Sequence, residues 1–458
     1  MVNKDTIVAP ATPPGEGGIG VIRLSGNQSE DFLRRLFHPR YHHSPFPRFQ
    51  SHHLYYGDLF SVHQQPIDEV MAVVMRAPHS YTCEDVAEVH CHGGPFVVRQ
   101  IVDNFIRLGA RLAEPGEFTL RAFLNGRLDL TQAEAVIDLI RARSDRASEM
   151  AIRQLSGKLG NALDAIKNEL LNILAIIEAH IDFPEEELPP VYRENLESSA
   201  KKNVDEVEKI LNSFAYGRIA KEGIAVVLAG RPNVGKSSIL NALLEEERAI
   251  VTDIPGTTRD AIEGRLTVGG FLLNIVDTAG IHHTENVIES AGIRKTLKHI
   301  EYSDIVLFIV ERDTFTEEDM KIFDTCKSRN MLILFNKIDL GDFEVPGFLR
   351  DFPSVKISAH TGYGMGDLKK MIMENISRRF NLLASEEDAI ISSQRCWESL
   401  NKSKECIKRF LNGLGDNIPW ECLALEIKDA LVFLGEITGE TFSDDVLKKI
   451  FSKFCIGK

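Results

Sequence analysis

Short, nearly uninterrupted apolar runs recur in the middle of the chain: Ile224 to Ala229, Leu272 to Val276, Asp304 to Val310 and Met331 to Phe335. Runs of this length without polar alternation suit parallel strands covered on both faces. Segments with helical spacing separate them, such as Ser238 to Leu243. Residues 216–379 therefore read as an α/β unit. Residues 121–215 have a different pattern. Turn formers thin out, and apolar positions fall at helical spacing: Ala133, Val136, Ile137, Ile140, then Leu163, Ile166, Leu170, Ile173, Leu174, Ile177. A stop at Phe183-Pro184-Glu185-Glu186-Glu187-Leu188-Pro189-Pro190 interrupts these helices, and helical patterning returns from 380 to 458. Two helical stretches around one α/β unit predict an insertion: residues 216–379 set into a helical domain made of 121–215 and 380–458. Residues 1–120 mix helices with short strands, Ile19 to Leu24 and Val70 to Met75, separated by Pro/Gly turns. They predict a separate α+β domain.

Composition adds exclusions. The chain has 458 residues, 43% hydrophobic and 26% charged, which is ordinary for a globular protein and enough for roughly three domains. No apolar run approaches a membrane span, and the N-terminus lacks a signal-type apolar core. Seven scattered cysteines then imply reduced thiols in the cytoplasm. The net charge of −14 argues against coating nucleic acid by bulk electrostatics, leaving room for a local basic patch.

Gly230-Arg231-Pro232-Asn233-Val234-Gly235-Lys236-Ser237 fits G-x-x-x-x-G-K-[ST] between an expected strand and an expected helix beginning at Ser238. That context is what a phosphate-binding loop requires. Lys236 faces β/γ-phosphates and the Ser237 hydroxyl reaches Mg²⁺. Asp277-Thr278-Ala279-Gly280 closes the strand from Leu272, placing a carboxylate near Mg²⁺ and a glycine N–H near the γ-phosphate. Asn336-Lys337-Ile338-Asp339 closes another strand. The Asp339 carboxylate matches two N–H donors on guanine, which adenine does not offer. Ser358-Ala359-His360 offers a backbone N–H to the guanine oxygen. The order favours GTP over ATP and resembles the translation-factor-related G proteins.

Ile281 stands where Ras-like enzymes place a water-orienting Gln, so hydrolysis is slow or its catalytic group comes from elsewhere. Thr252-Asp253-Ile254-Pro255-Gly256-Thr257-Thr258-Arg259-Asp260 offers Thr258 to the Mg²⁺ shell. Asn233 offers a neutral oxygen where a monovalent cation would bridge the phosphates; spacing alone leaves that open.

Other features carry less. Cys455 is fourth from position 458, but Gly457 and Lys458 do not suit a prenylation box. His90 and His92 would share one strand face with Cys91 on the other, and no further pair completes a zinc set. Arg141, Arg143, Arg146, Arg153 and Lys158 read as a solvated helix face, given Asp145 and Glu149, with phosphate or RNA contact as the alternative. The glycine-rich loop from Ala11 to Gly18 is a non-specific ligand lip.

Over its whole length the chain resembles one family, the MnmE (TrmE) tRNA-modifying GTPases. The resemblance is carried by Asp5-Thr6-Ile7-Val8-Ala9, Ala11-Thr12-Pro13-Pro14-Gly15, Pro115-Gly116-Glu117-Phe118-Thr119, the stretch Phe123 to Leu130, Gly256-Thr257-Thr258-Arg259-Asp260 and the tail Phe454 to Lys458. It implies that residues 1–120 bind tetrahydrofolate and form a homodimer. It implies 5-formyl- or methylene-tetrahydrofolate as one-carbon donor, and folate contacts at Arg23, Glu84, Arg127 and Lys458. Arg127 stands where some members have Lys, and a planar fork is not an ammonium. A GTP site over Asn233 to Ser238, Thr252 to Thr258, Asp277 to Gly280, Asn336 to Asp339 and Ser358 to His360 is implied. So are K⁺ at Asn233, Thr252, Ile254 and Thr257, and Mg²⁺ at Ser237 and Thr258. The catalytic Glu falls on Glu289, which answers the problem posed by Ile281, and Cys455 is the tail thiol suspected of a role in modification. The implied partners are tRNA and an FAD-dependent protein, MnmG (GidA), in a heterotetramer that modifies C5 of the wobble uridine. A ribosome-assembly or signalling GTPase shares the G domain but predicts no folate site, and a folate-dependent transferase regulated by GTP predicts both.

Overall fold

The computed structural model describes residues 5–40, 48–182, 190–246, 264–277, 299–311, 315–341, 345–380, 389–416 and 418–458. They form two compact units: residues 1–137, 154–200 and 402–458 in the first, 138–153 and 201–401 in the second.

The first unit holds a seven-stranded sheet. Its strands are β1 (Ile7–Pro10), β2 (Gly17–Ser25), β3 (Phe37–Pro39), β4 (Leu54–Phe60), β5 (Pro66–Met75), β6 (Val86–Gly93) and β7 (Arg111–Leu112), in the order β3-β4-β5-β6-β2-β1-β7. All neighbours are antiparallel except β1 and β7. Alternate residues of β2, Ile22 and Leu24, are fully buried and join Phe32, Leu33, Ile101 and Phe105 of the helices Ser29–Leu36 and Pro95–Arg107 in one core. Arg23, between them, points to the other face. Helices Lys158–Asp182 and Trp420–Thr438 pack together in this unit. The helix Asp444–Phe451 starts at a Ser443 cap and brings Leu447, Phe451 and then Phe454 against Ala122 and Phe123 of the helix Glu117–Leu124.

The second unit is built on β8 (Ile224–Ala229), β9 (Gly264–Val268), β10 (Phe271–Asp277), β11 (Ile305–Glu311), β12 (Met331–Asn336) and β13 (Ser354–Lys356), in the order β13-β12-β11-β8-β10-β9. Every pair is parallel except β9 with β10. Both faces are buried. Val226, Leu228, Leu307, Ile309, Leu332 and Leu334 enter one core; Val227, Ala229, Val306, Phe308, Ile333 and Phe335 enter the other. That double burial is the physical reason for the unbroken apolar runs.

The multidomain fold class holds: an α/β P-loop domain set within a helical domain, after an N-terminal α+β domain. Residues 138–153, 201–215 and 380–401 group with the α/β unit by contact. Met150, Tyr216, Ile219 and Ile390 join its core, and Arg146 donates its backbone N–H to Gly270. The expected basic face is partly engaged, since Arg146 also pairs with Glu149 and lies over the Phe271 ring. Asp304 precedes its strand, accepting from Arg218 and from the Ala225 N–H.

Candidate functional site

The phosphate loop joins β8 to the helix Lys236–Glu246. Asn233 and Gly235 both take left-handed backbone angles, φ 66° and 99°, so the chain curls and turns successive N–H groups inward. A Cβ on Gly235 would meet Asn336 Nδ2 at 2.3 Å, so glycine is required there. Lys236 is 6% exposed, and its ammonium donates to the carbonyls of Gly230 (2.7 Å) and Arg231 (2.9 Å). The Ser237 and Ser238 side chains are exposed at the helix start, where partial positive charge favours phosphate.

Asn336 ends β12 and is almost fully buried. It donates to the Val234 carbonyl at 2.8 Å and accepts from the Ala359 N–H at 3.2 Å. The three sequence motifs therefore meet at one side chain. Lys337 follows with φ 66°, its ammonium donating to Asn233 O at 2.9 Å. Ile338 and the exposed Asp339 lie in a short 3₁₀ turn. Ser358 is buried, its carbonyl and hydroxyl accepting from Gly362 and Thr361, while His360 is exposed. Asn233, Val234, Gly235, Lys236, Asn336 and Ala359 are thus brought together. Thr252, Asp253, Ile254, Pro255, Gly256, Thr257, Thr258, Thr278, Ala279, Gly280 and Glu289 lie outside the described residues, as does the Asp277 side chain, although its backbone ends β10.

The first unit carries a second candidate site. Arg23 donates through Nε to Glu88 at 2.6 Å, its partner in the β2–β6 register. Its guanidinium carbon lies 5.6 Å from the Tyr81 ring and 5.8 Å from the Phe118 ring. Arg127 covers Tyr81 at 4.8 Å and donates to its carbonyl. Arg23 Nη1 is buried with no hydrogen-bond partner among the described residues. Lys458 is half-buried, and burial, then the Arg23 charge, push its ammonium below the ordinary lysine range. Glu84 accepts from Ser25 Oγ (2.7 Å) and from Arg121 (3.1 Å).

Two family models match the chain. The MnmE helical domain matches residues 130–455, and the GTP-binding protein TrmE N-terminus matches residues 6–127. A tRNA modification GTPase MnmE of Syntrophotalea carbinolica is 46% identical over all of both chains. The chain belongs to the MnmE family. A second MnmE relative, from Geobacter metallireducens, is 44% identical, again over all of both chains.

Within this MnmE chain the tail is seated on the N-terminal sheet. Gly457 takes φ 96°, and a Cβ there would meet Pro10 O at 2.0 Å. The Cys455 carbonyl accepts from the Gly116 N–H at 3.5 Å, and the Cys455 side chain is exposed and free. His92 binds Asp68, His90 faces Glu88, and Cys91 is buried against Gly20 O. Among the described residues no group of three His, Cys, Asp or Glu is placed to hold a metal.

Sequence reasoning missed Glu88, Tyr81 and Arg121. Glu88 had a weak signal, an acidic residue in an alternating strand, but its pairing with Arg23 is a register property. Arg121 had only its i,i+4 spacing from Glu117. Its side chain is 4% exposed and also meets Asp5 and Glu84 from distant parts of the chain.

Proposed function

We propose that this chain is the GTP-hydrolysing, potassium-dependent component of a system that modifies C5 of the tRNA wobble uridine (U34). The group installed is of aminomethyl type, such as carboxymethylaminomethyl. The one-carbon donor is 5-formyl- or methylene-tetrahydrofolate, and the redox partner is the FAD-dependent MnmG (GidA) protein in a heterotetramer. Residues 1–120 serve folate binding and dimerisation, 121–215 with 380–458 form the helical domain, and 216–379 form the G domain. The cytoplasm is the compartment that fits. Among the described residues no helix is long and apolar enough to cross a membrane. Ile19 and Phe96, 67% and 77% exposed, offer apolar surface for the homodimer.

One observation supports this over a plain binding switch: the side-chain cluster around Arg23 in the N-terminal domain. A buried guanidinium N–H without a partner, beside a half-buried ammonium and two aromatic rings, suits an anionic or carbonyl-bearing aromatic ligand. The donor set fits a folate. Arg23, Arg127 and Lys458 would hold it, with Glu84 fixed by Ser25 and Arg121 to accept its N–H groups. When bound, the folate supplies the one-carbon unit.

In the G domain, Lys236 and the curled loop bind phosphates, Asp339 reads guanine, and Ser237 with Thr258 would hold Mg²⁺. The neutral oxygens proposed from Asn233, Thr252, Ile254 and Thr257 would hold K⁺, and a cation there would supply positive charge beside the phosphates. Glu289 orients water, a task Ile281 cannot do. Nucleotide turnover supplies conformational work and the folate and flavin supply the covalent chemistry.

Mass spectrometry of the wobble uridine in tRNA from cells lacking this protein tests the reading. Unmodified uridine is the expected result, and normally modified uridine overturns it.

A further inference from the structure

Glu311, the last residue of β11, divides its carboxylate between two loops of the nucleotide site. Oε2 accepts from Arg231 Nη2 of the phosphate loop at 3.0 Å. Oε1 accepts from Lys337 Nζ of the guanine-reading loop at 2.8 Å. The same Lys337 ammonium donates to Asn233 O at 2.9 Å, and the Arg231 carbonyl accepts from Lys236 at 2.9 Å. Asp319, fully buried by the Thr316 capping box, lies 3.4 Å from Arg231 Nε. Lys337 holds a left-handed backbone, which costs a non-glycine residue energy unless its surroundings fix it.

We propose that Glu311 is a positioning residue that couples the phosphate subsite to the guanine subsite. One carboxylate fixes the P-loop arginine and the base-loop lysine in a single geometry, so Asp339, two residues after Lys337, meets guanine in register with the phosphates. The inference rests on GTP binding alone and is independent of the folate reading.

Charge alone predicts the opposite effect. Arg231 and Lys337 balance Glu311 and Asp319, so neutralising Glu311 leaves excess positive charge beside the phosphates and tightens an anionic nucleotide. Positioning predicts loosening. The test uses the full-length chain, with and without Glu311→Gln, and measures dissociation constants for fluorescently labelled GDP and inosine diphosphate. The latter lacks the exocyclic amine that Asp339 reads. In E311Q we expect GDP to bind about tenfold more weakly, the scale of a lost charged hydrogen bond, and the GDP preference over inosine diphosphate to shrink. GDP affinity that is unchanged or tighter overturns the proposal. So does weaker binding with an unchanged preference, because that result separates the two subsites. Thermal unfolding without nucleotide confirms that the variant folds. If E311Q does not fold, Glu311→Asp replaces it: the shorter side chain keeps the charge but cannot span both partners, and the same two outcomes apply.

Discussion

Asn336 donates its side-chain amide to the Val234 carbonyl across 2.8 Å, joining the end of β12 to the phosphate loop through a buried bond. With the Ala359 N–H on its other end, it holds three loops that lie far apart in sequence.

Asn336→Ala strips both bonds and leaves a buried carbonyl unpaired. We expect a loss of about 2 kcal/mol in stability, together with GDP binding weakened by roughly tenfold. Urea unfolding and nucleotide titration measure the two effects, and tight GDP binding in the variant would contradict this account of the site.

Arg121→Gln removes the guanidinium shared by Asp5, Glu84 and Glu117, at a cost of roughly 3 to 5 kcal/mol for breaking a buried ionic group. Burial pushes the Glu117 carboxyl up, but hydrogen bonds from Arg111, the Glu114 N–H and Arg121 bring it below the ordinary carboxylate range. Asp5 follows the same pattern, with burial opposed by Arg111 and Arg121. Folded values below unfolded ones mean that this stability is present above the ordinary carboxyl value. It is lost as pH falls through the folded values. The stability gap between wild type and variant should therefore narrow from about pH 5 to about pH 3. Urea midpoints across that range measure it, and a constant gap contradicts the assignment.

The central strands β8, β11 and β12 were legible because burial on both faces leaves them apolar up to their last residue, and the phosphate loop because its glycines sit between strand and helix. Other features were not, for physical reasons. Helical periodicity around Ala133 to Ile140 announces a helix but not its partner, so the grouping of 138–153 with the α/β unit was hidden. The Arg23–Glu88 pair depends on strand register, and the left-handed Lys337 on tertiary bonds from Glu311 and Asn233. Each is long-range information that no local pattern contains.

Lys458 is held where its charge is disfavoured, by burial and then by Arg23. Lys458→Met should leave the melting temperature unchanged or slightly raised, while weakening 5-formyltetrahydrofolate binding at least about tenfold. Calorimetry tests the second half. Undiminished binding removes Lys458 from the proposed folate site.

Gly457→Ala introduces a Cβ into Pro10 O at a left-handed position. The tail should detach, weakening folate binding as Lys458→Met does, with GTP turnover unaffected. A variant that binds folate normally would show that the tail's seat is dispensable.

GTP turnover should rise steeply in K⁺ over Na⁺, and Glu289→Ala should lose most hydrolysis while retaining nucleotide. Steady-state phosphate release and a GDP titration check both. Equal rates in the two salts count against the cation site, and near-normal turnover in the variant removes Glu289 from the mechanism.

Gly457, seated on Pro10, also imposes an order on biosynthesis. The sheet that carries Arg23 leaves the ribosome early, whereas Lys458 follows only after the whole nucleotide-binding unit has been translated. A nascent chain can thus fold its GTPase unit as a local event while the cluster around Arg23 still lacks the Lys458 ammonium. A chain lacking the tail would keep its nucleotide loops, and the proposed folate site would lose Lys458 while retaining Arg23, Tyr81 and Arg127.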